Sequence, residues 1–284
     1  MHSSEQTPLA AAPAETPAAW PLRVWFAAEV FFAAASSWAV LLAPEATATN
    51  FAWPIQPVAT AALFGAIYFA ALPLMLGGLF TRVWERVRVV VLPSAVFTAA
   101  MLLPTFLHWD RFATGSASFA IWLASYVLPP PIFVACYIWQ QKRSLPVGFG
   151  ITQPLPTLER TFLFANGAAL VVIAIAVMLV PSMLQAIAPF TFTPLTARAF
   201  AGYVTLVALL QISMAFENDW QRSKLATVML ITLPFVILFQ LVRFSTGVQW
   251  SNVALWVFLI DVSLVAALSA RLWLRPPATL RSGA

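Results

Sequence analysis

Apolar residues fall in eight long runs, at about 24–43, 58–81, 89–107, 117–139, 161–182, 196–216, 225–243 and 251–270, separated by short polar or proline-rich stretches. Each run is near the roughly 20 residues that a helix needs to cross a bilayer. The pattern predicts an all-α integral membrane protein with about eight transmembrane helices. The second run contains Pro73 and can be read as shorter.

The punctuation between the runs repeats. Adding 137 takes Arg23 to Arg160, Leu42 to Leu179, Pro44 to Pro181, Pro57 to Pro194 and Gly65 to Gly202, and carries Glu29 to Asn166. With one residue deleted the offset becomes 136, and Trp84, Arg86 and Arg88 fall on Trp220, Arg222 and Lys224. Ordered spacing with weak identity is how an old duplication looks. Two tandem four-helix repeats are expected, over 20–139 and 160–271, joined by a cytoplasmic linker at 140–159. An even number of spans per repeat inserts both the same way up, in parallel orientation. The flanks, 1–19 and 272–284, read as cytoplasmic tails. The first is rich in Ala, Pro, Ser and Thr and has no basic residue, so it reads as disordered rather than as a signal peptide.

Charge sets the orientation. Of the 15 Lys and Arg residues, only Arg111, Arg198 and Arg243 lie in the loops after odd-numbered spans or at their edges; the other twelve lie on the opposite side. Basic residues favour the cytoplasm, so both termini are expected there, in a multi-pass protein of the cell membrane. Composition agrees: 9% of residues are charged and 61% hydrophobic, too few charges to cover a soluble core. The isoelectric point near 10.0 reflects topology and not nucleic-acid binding. The Ala-rich, compact style points to a bacterial protein.

Several function classes are excluded or disfavoured. The lone Cys136 forms no internal disulfide, and His2 and His108 are too few and too far apart for a histidine metal site. No cofactor is implied: phosphate-loop, dinucleotide, His-Glu-x-x-His and nucleophile-elbow patterns are all missing. Without an ATP site, transport would be secondary or would depend on another subunit.

Polar residues inside the runs are the candidates for chemistry. Glu29 in the first span and Asn166 at the same place in the fifth would face the axis between repeats, as a proton relay or cation contact; the alternative is snorkelling, pairing with Arg23 or a hydrogen bond between helices. Asp261 lies near the middle of the eighth span, where an acid costs on the order of 2.5–3.5 kcal/mol unless it is neutral, paired or wet. The fourth span carries Tyr126 followed by Pro129, Pro130 and Pro131, which remove three backbone donors and should break the helix. Such breaks either form transporter sites or are packing kinks satisfied by a neighbour. His108, Asp110, Arg111, Arg198 and Arg243 could gather on the outer face to hold an anion or a lipid headgroup, or could be ordinary interfacial residues with local pairing. Two equivalent outer loops, 51–57 and 188–194, hold aromatics expected to anchor in the headgroup layer or to cover an external cavity. The matching Trp-x-Arg turns at 84–88 and 220–224 read as topology and anchoring.

The leading reading is a secondary transporter or permease for a small molecule or ion, with its site at the interface between repeats. The alternatives are a non-catalytic scaffold or membrane-complex subunit, including a homo-oligomer, and a membrane enzyme acting on lipid through His108 and Asp110.

Overall fold

The computed structural model describes residues 15–144 and 153–274. Among them there is no strand beyond an isolated bridge between Pro17 and Val83. The helices longer than ten residues are α1 (Trp20–Ser37), α2 (Val58–Phe80), α3 (Trp84–Leu107), α4 (Ala117–Val127), α5 (Pro129–Arg143), α6 (Thr157–Leu179), α7 (Pro194–Glu217), α8 (Trp220–Arg243) and α9 (Val253–Trp273). With α4 and α5 taken together as Ala117–Arg143, they form eight apolar segments long enough to cross a bilayer. The chain is a polytopic membrane protein.

Local chemistry explains the ends. Pro21 in the first turn carries no N–H to satisfy, so α1 starts at Trp20, ahead of the apolar run itself. A π-turn over Trp38–Leu42 extends it to the full 23-residue span. Thr193 and Thr196 form a reciprocal capping box at the start of α7, and Ser116 and Asn252 cap α4 and α9 by accepting from Phe119 N and Leu255 N. Pro73 does not end α2, which runs through it.

The triple proline produces a milder interruption than a reoriented break. Leu128 keeps helical dihedrals (φ −77°, ψ −41°), and the prolines occupy the first turn of α5, where a missing N–H costs least. The two pieces therefore continue as one span.

Helices α2, α3, α7 and α8 form the centre, with 56–61% of their apolar windows buried against 28% for the other four spans. α1 packs on α2 and α6 on α7; α2 meets α8 and α3 meets α7; α5 packs on α3 and α9 on α8. Helices α3 and α8 touch each other across the middle.

The expected cytoplasmic end shows paired details. Arg23 Nε donates to Leu79 O at 3.0 Å, and Arg160 Nε to Ala215 O at 2.9 Å. Trp84 N donates to Thr16 O and Trp220 N to Gln153 O, both at 2.8 Å. Thr16 N reaches the Glu85 carboxylate at 3.2 Å, as Gln153 N reaches Asp219 Oδ2. Of the stretch expected as a disordered tail, residues 15–19 thus pack on the α2–α3 turn, because that turn supplies backbone and carboxylate partners; residues 1–14 lie outside the described set. Most of the connector between the halves, 145–152, and the segment 275–284 also lie outside it.

At the opposite end the aromatic loops fold inward. Trp53 is 2% exposed and packs edge-on against Trp122 at 4.6 Å and Phe112 at 5.2 Å. Thr47 Oγ1 accepts from Ile55 N at 3.0 Å and fixes the loop over the bundle. Phe190 and Phe192 are likewise buried. Ring-to-ring packing outweighs headgroup anchoring for Trp53, Phe190 and Phe192.

Candidate functional site

Asp261 lies eight residues into α9, about 12 Å from its start at 1.5 Å per residue, and so near the bilayer midplane. It faces Asn166 of α6 across the same cleft, close enough for the two polar groups to interact. Asn166 Nδ2 donates in turn to Gln211 Oε1 on α7 at 3.0 Å, and Gln211 is fully buried. Asn166 and Asp261 form part of the wall of a cleft of about 810 Å³ among α6, α7 and α9, and Gln211 lies behind Asn166. Phe190, Phe192, Phe200 and Phe258 supply its aromatic wall, and no Lys or Arg lines it. α6 and α9 pack on α7 and α8 rather than on each other, which leaves the cleft its width.

Glu29 is nine residues into α1, again near mid-depth and deeper than the apolar run implied. It is 8% exposed, and its Oε1 is buried without a hydrogen-bond partner. The carboxyl borders a small cavity of about 40 Å³ shared with Ser36, Tyr68, Thr98, Ser125, Tyr126 and Tyr203. Tyr126 stands between the other two phenols, 3.2 Å from Tyr68 OH and 3.1 Å from Tyr203 OH. A second small void, of about 60 Å³ and also bordered by Tyr203, has Asp261 on its wall. Tyr203 therefore stands between the two acids.

The structure thus brings Glu29 together with Tyr126, and Asn166 together with Asp261, at two separate places. Pro129 is buried, Pro130 half-buried and Pro131 exposed; none lines either cavity, whereas Ser125 and Tyr126 just before the break do. At the 136 offset Asp261 falls on Ser125, so each half holds one acid and one neutral polar residue, Glu29 with Ser125 and Asn166 with Asp261, exchanged between the two peripheral helices. That arithmetic was available in the sequence. Tyr68, Tyr203 and Gln211 gave no such signal, since a lone polar residue in an apolar run resembles ordinary packing.

The five residues expected to gather at the outer end divide into three groups. Arg198 donates from Nε to Met178 O at 2.9 Å, capping α6, and its Nη1 lies 2.9 Å from His108 Nε2. Asp110 and Arg111 form an exposed local pair at 3.1 Å. Arg243 donates to the carbonyls of Leu41 and Leu42, closing the end of the first span. Among the described residues His108 and Asp110 share no hydrogen bond, and neither borders a pocket described above.

Burial first, and then the Arg198 charge, lowers the His108 value from its ordinary 6.5. The neutral ring accepts from Arg198, so this contribution to stability is complete above pH 6.5 and is lost as pH falls through the lowered folded value. Thermal unfolding should drop more between pH 7.5 and 5.5 in the wild type than in His108→Gln, by less than about 1 kcal/mol because the ring is part-exposed. Equal drops in both proteins would contradict this.

Comparison with protein-family models, with characterised proteins and with solved structures finds no match to this chain. The functional reading therefore rests on the geometry alone.

Proposed function

We propose that the protein is a secondary transporter whose substrate is a small apolar cation, held in the α6–α7–α9 cleft against Asp261. The observation that carries this reading is the acid–amide pair at mid-depth, bordering a roomy aromatic cleft that contains no basic residue. Such a cleft favours a positive charge with an apolar body: the carboxylate supplies the counter-charge and the phenylalanine faces add cation–π attraction. A scaffold subunit would have each buried acid satisfied by another side chain, and the unpartnered Glu29 oxygen speaks against it. The lipid-enzyme alternative needs His108 and Asp110 converging on one pocket, which the geometry does not support.

In this reading the chain is two parallel four-helix repeats around a pseudo-twofold axis along the membrane normal, with both termini cytoplasmic. The matched bonds of Arg23 and Arg160, the matched caps Ser116 and Asn252, and the reciprocal packing of α2 on α8 and α3 on α7 support it. Sites in such proteins commonly lie near mid-bilayer.

Tetraphenylphosphonium binding to the purified protein in nanodiscs tests the proposal. Asp261→Asn should weaken binding by about 10- to 100-fold, the equivalent of roughly 1.4–2.8 kcal/mol, and Phe258→Ala by a smaller factor. Binding that is undetectable in the wild type, or unaltered in Asp261→Asn, would remove the reading.

A further inference from the structure

The cavity at Glu29 is distinct from the cleft and has an imbalance of its own. Thr98 Oγ1 donates to its own helix, to Ser94 O at 2.8 Å and Ala95 O at 3.1 Å. Ser125 Oγ donates to Trp122 O at 2.8 Å. Each hydroxyl has one proton, so both oxygens have only lone pairs left for the cavity they line. The three phenols have three protons, of which two are used within the Tyr68–Tyr126–Tyr203 chain. The third phenol proton and that of Ser36, which also lines the cavity, are the donors left among the lining side chains. Glu29 Oε1 remains a buried acceptor with nothing donating to it.

Acceptors therefore outnumber donors in a small space that lies near mid-bilayer. The groups facing Glu29 are Ser36 on its own helix, Tyr68 from α2, Thr98 from α3, Ser125 and Tyr126 from α4 and Tyr203 from α7; no Lys, Arg or His lines the cavity. An ionised carboxylate there would be buried without a compensating charge, which is strongly unfavourable. About 40 Å³ admits a water-sized guest, since one water needs on the order of 10–15 Å³ of such volume. Hard oxygen donors, one of them a carboxylate, are the ligand set of a small alkali cation, and the same oxygen accepts a proton.

We propose that this cavity is a binding site for one small monovalent cation, sodium or the proton, held by the Glu29 carboxylate with the Thr98 and Ser125 oxygens. The guest neutralises Glu29 and satisfies the surplus lone pairs. Nothing in this depends on what occupies the cleft, so the site can be tested without a cleft ligand. It stands whether or not the transport reading does.

The test is thermal unfolding of the full chain in nanodiscs, in sodium against choline chloride at pH 8, and in choline chloride at pH 8 against pH 5.5. If sodium is the guest, the wild type gains several degrees in sodium at pH 8, Glu29→Gln gains none, and the isosteric Thr98→Val needs about 3- to 10-fold more sodium for the same gain. If the proton is the guest, sodium does nothing, and the gain comes on acidification in the wild type but not in Glu29→Gln. Either result upholds the site and names its occupant. A wild type whose responses to both ions are matched by Glu29→Gln and Thr98→Val overturns the proposal. Thr98→Val keeps the shape of the side chain, so the proposal remains falsifiable if Glu29→Gln does not fold.

Discussion

Gly65→Ala is expected to lower the unfolding temperature by roughly 6–12 °C, whereas Gly115→Ala leaves it unchanged. A Cβ on Gly65 would sit 2.5 Å from Leu41 Cα, 2.6 Å from Leu41 N and 2.7 Å from Val40 C. All three obstacles are backbone, so no rotamer relieves the clash. The π-turn that carries them cannot easily yield either. Leu41 O is held by Arg243 Nη1 at 2.9 Å and by Gln240 Nε2 at 3.2 Å, both from α8. Overpacking ordinarily costs 1–3 kcal/mol, and a clash of backbone on pinned backbone belongs at about 3 or above. Gly115 has nothing within 4 Å of the equivalent position and serves as the control. A Gly65→Ala protein as stable as the wild type would mean that the first span is not wedged against α2 in this way.

Hydropathy made the eight spans legible because the bilayer imposes a length that no other environment does. It was less informative about their ends. Pro21 could be seen in the sequence, yet its use as a helix starter put Glu29 deeper than the apolar run implied. The offset arithmetic was equally legible, and it relates Asp261 to Ser125 as readily as Glu29 to Asn166. The tyrosine chain was not legible: Tyr68, Tyr126 and Tyr203 come from α2, α4 and α7, and hydropathy has no means of showing that three hydroxyls on three helices meet. The grouping of the arginines at the expected outer end was hidden for a similar reason. Arg198 and Arg243 each reach a helix-terminal carbonyl, Met178 O or Leu41 O, and the location of such a carbonyl depends on how helices dock.

The same dependence on docking governs the expected cytoplasmic end, where Glu217→Gln should cost about 2–4 kcal/mol, equivalent to a fall of roughly 5–10 °C in unfolding temperature. Glu217 closes α7; its Oε2 lies 2.6 Å from Arg88 Nη2 on α3 and 3.7 Å from Arg222 Nη1 on α8. These side chains are only 10–15% exposed, so the pair is largely shielded from the solvent screening that makes surface ion pairs weak. Glutamine keeps the length and one acceptor but removes the charge that both guanidiniums face. α3 and α7 belong to different halves, and α8 to the same half as α7, so this carboxylate ties the halves together at one end of the bundle while the aromatic cleft occupies the region toward the other. If the halves rock during transport, the tie must be released when this end of the bundle opens, and Glu217→Gln then raises the rate at which a cysteine placed at Thr81 is labelled by a water-soluble maleimide in a Cys136→Ser background. A double-mutant cycle with Arg88→Gln completes the measurement: the double variant should lose less stability than the two single losses combined, because the residues are in direct contact. Strict additivity, together with unaltered labelling, would show that the ion pair neither holds the end closed nor reports on its opening.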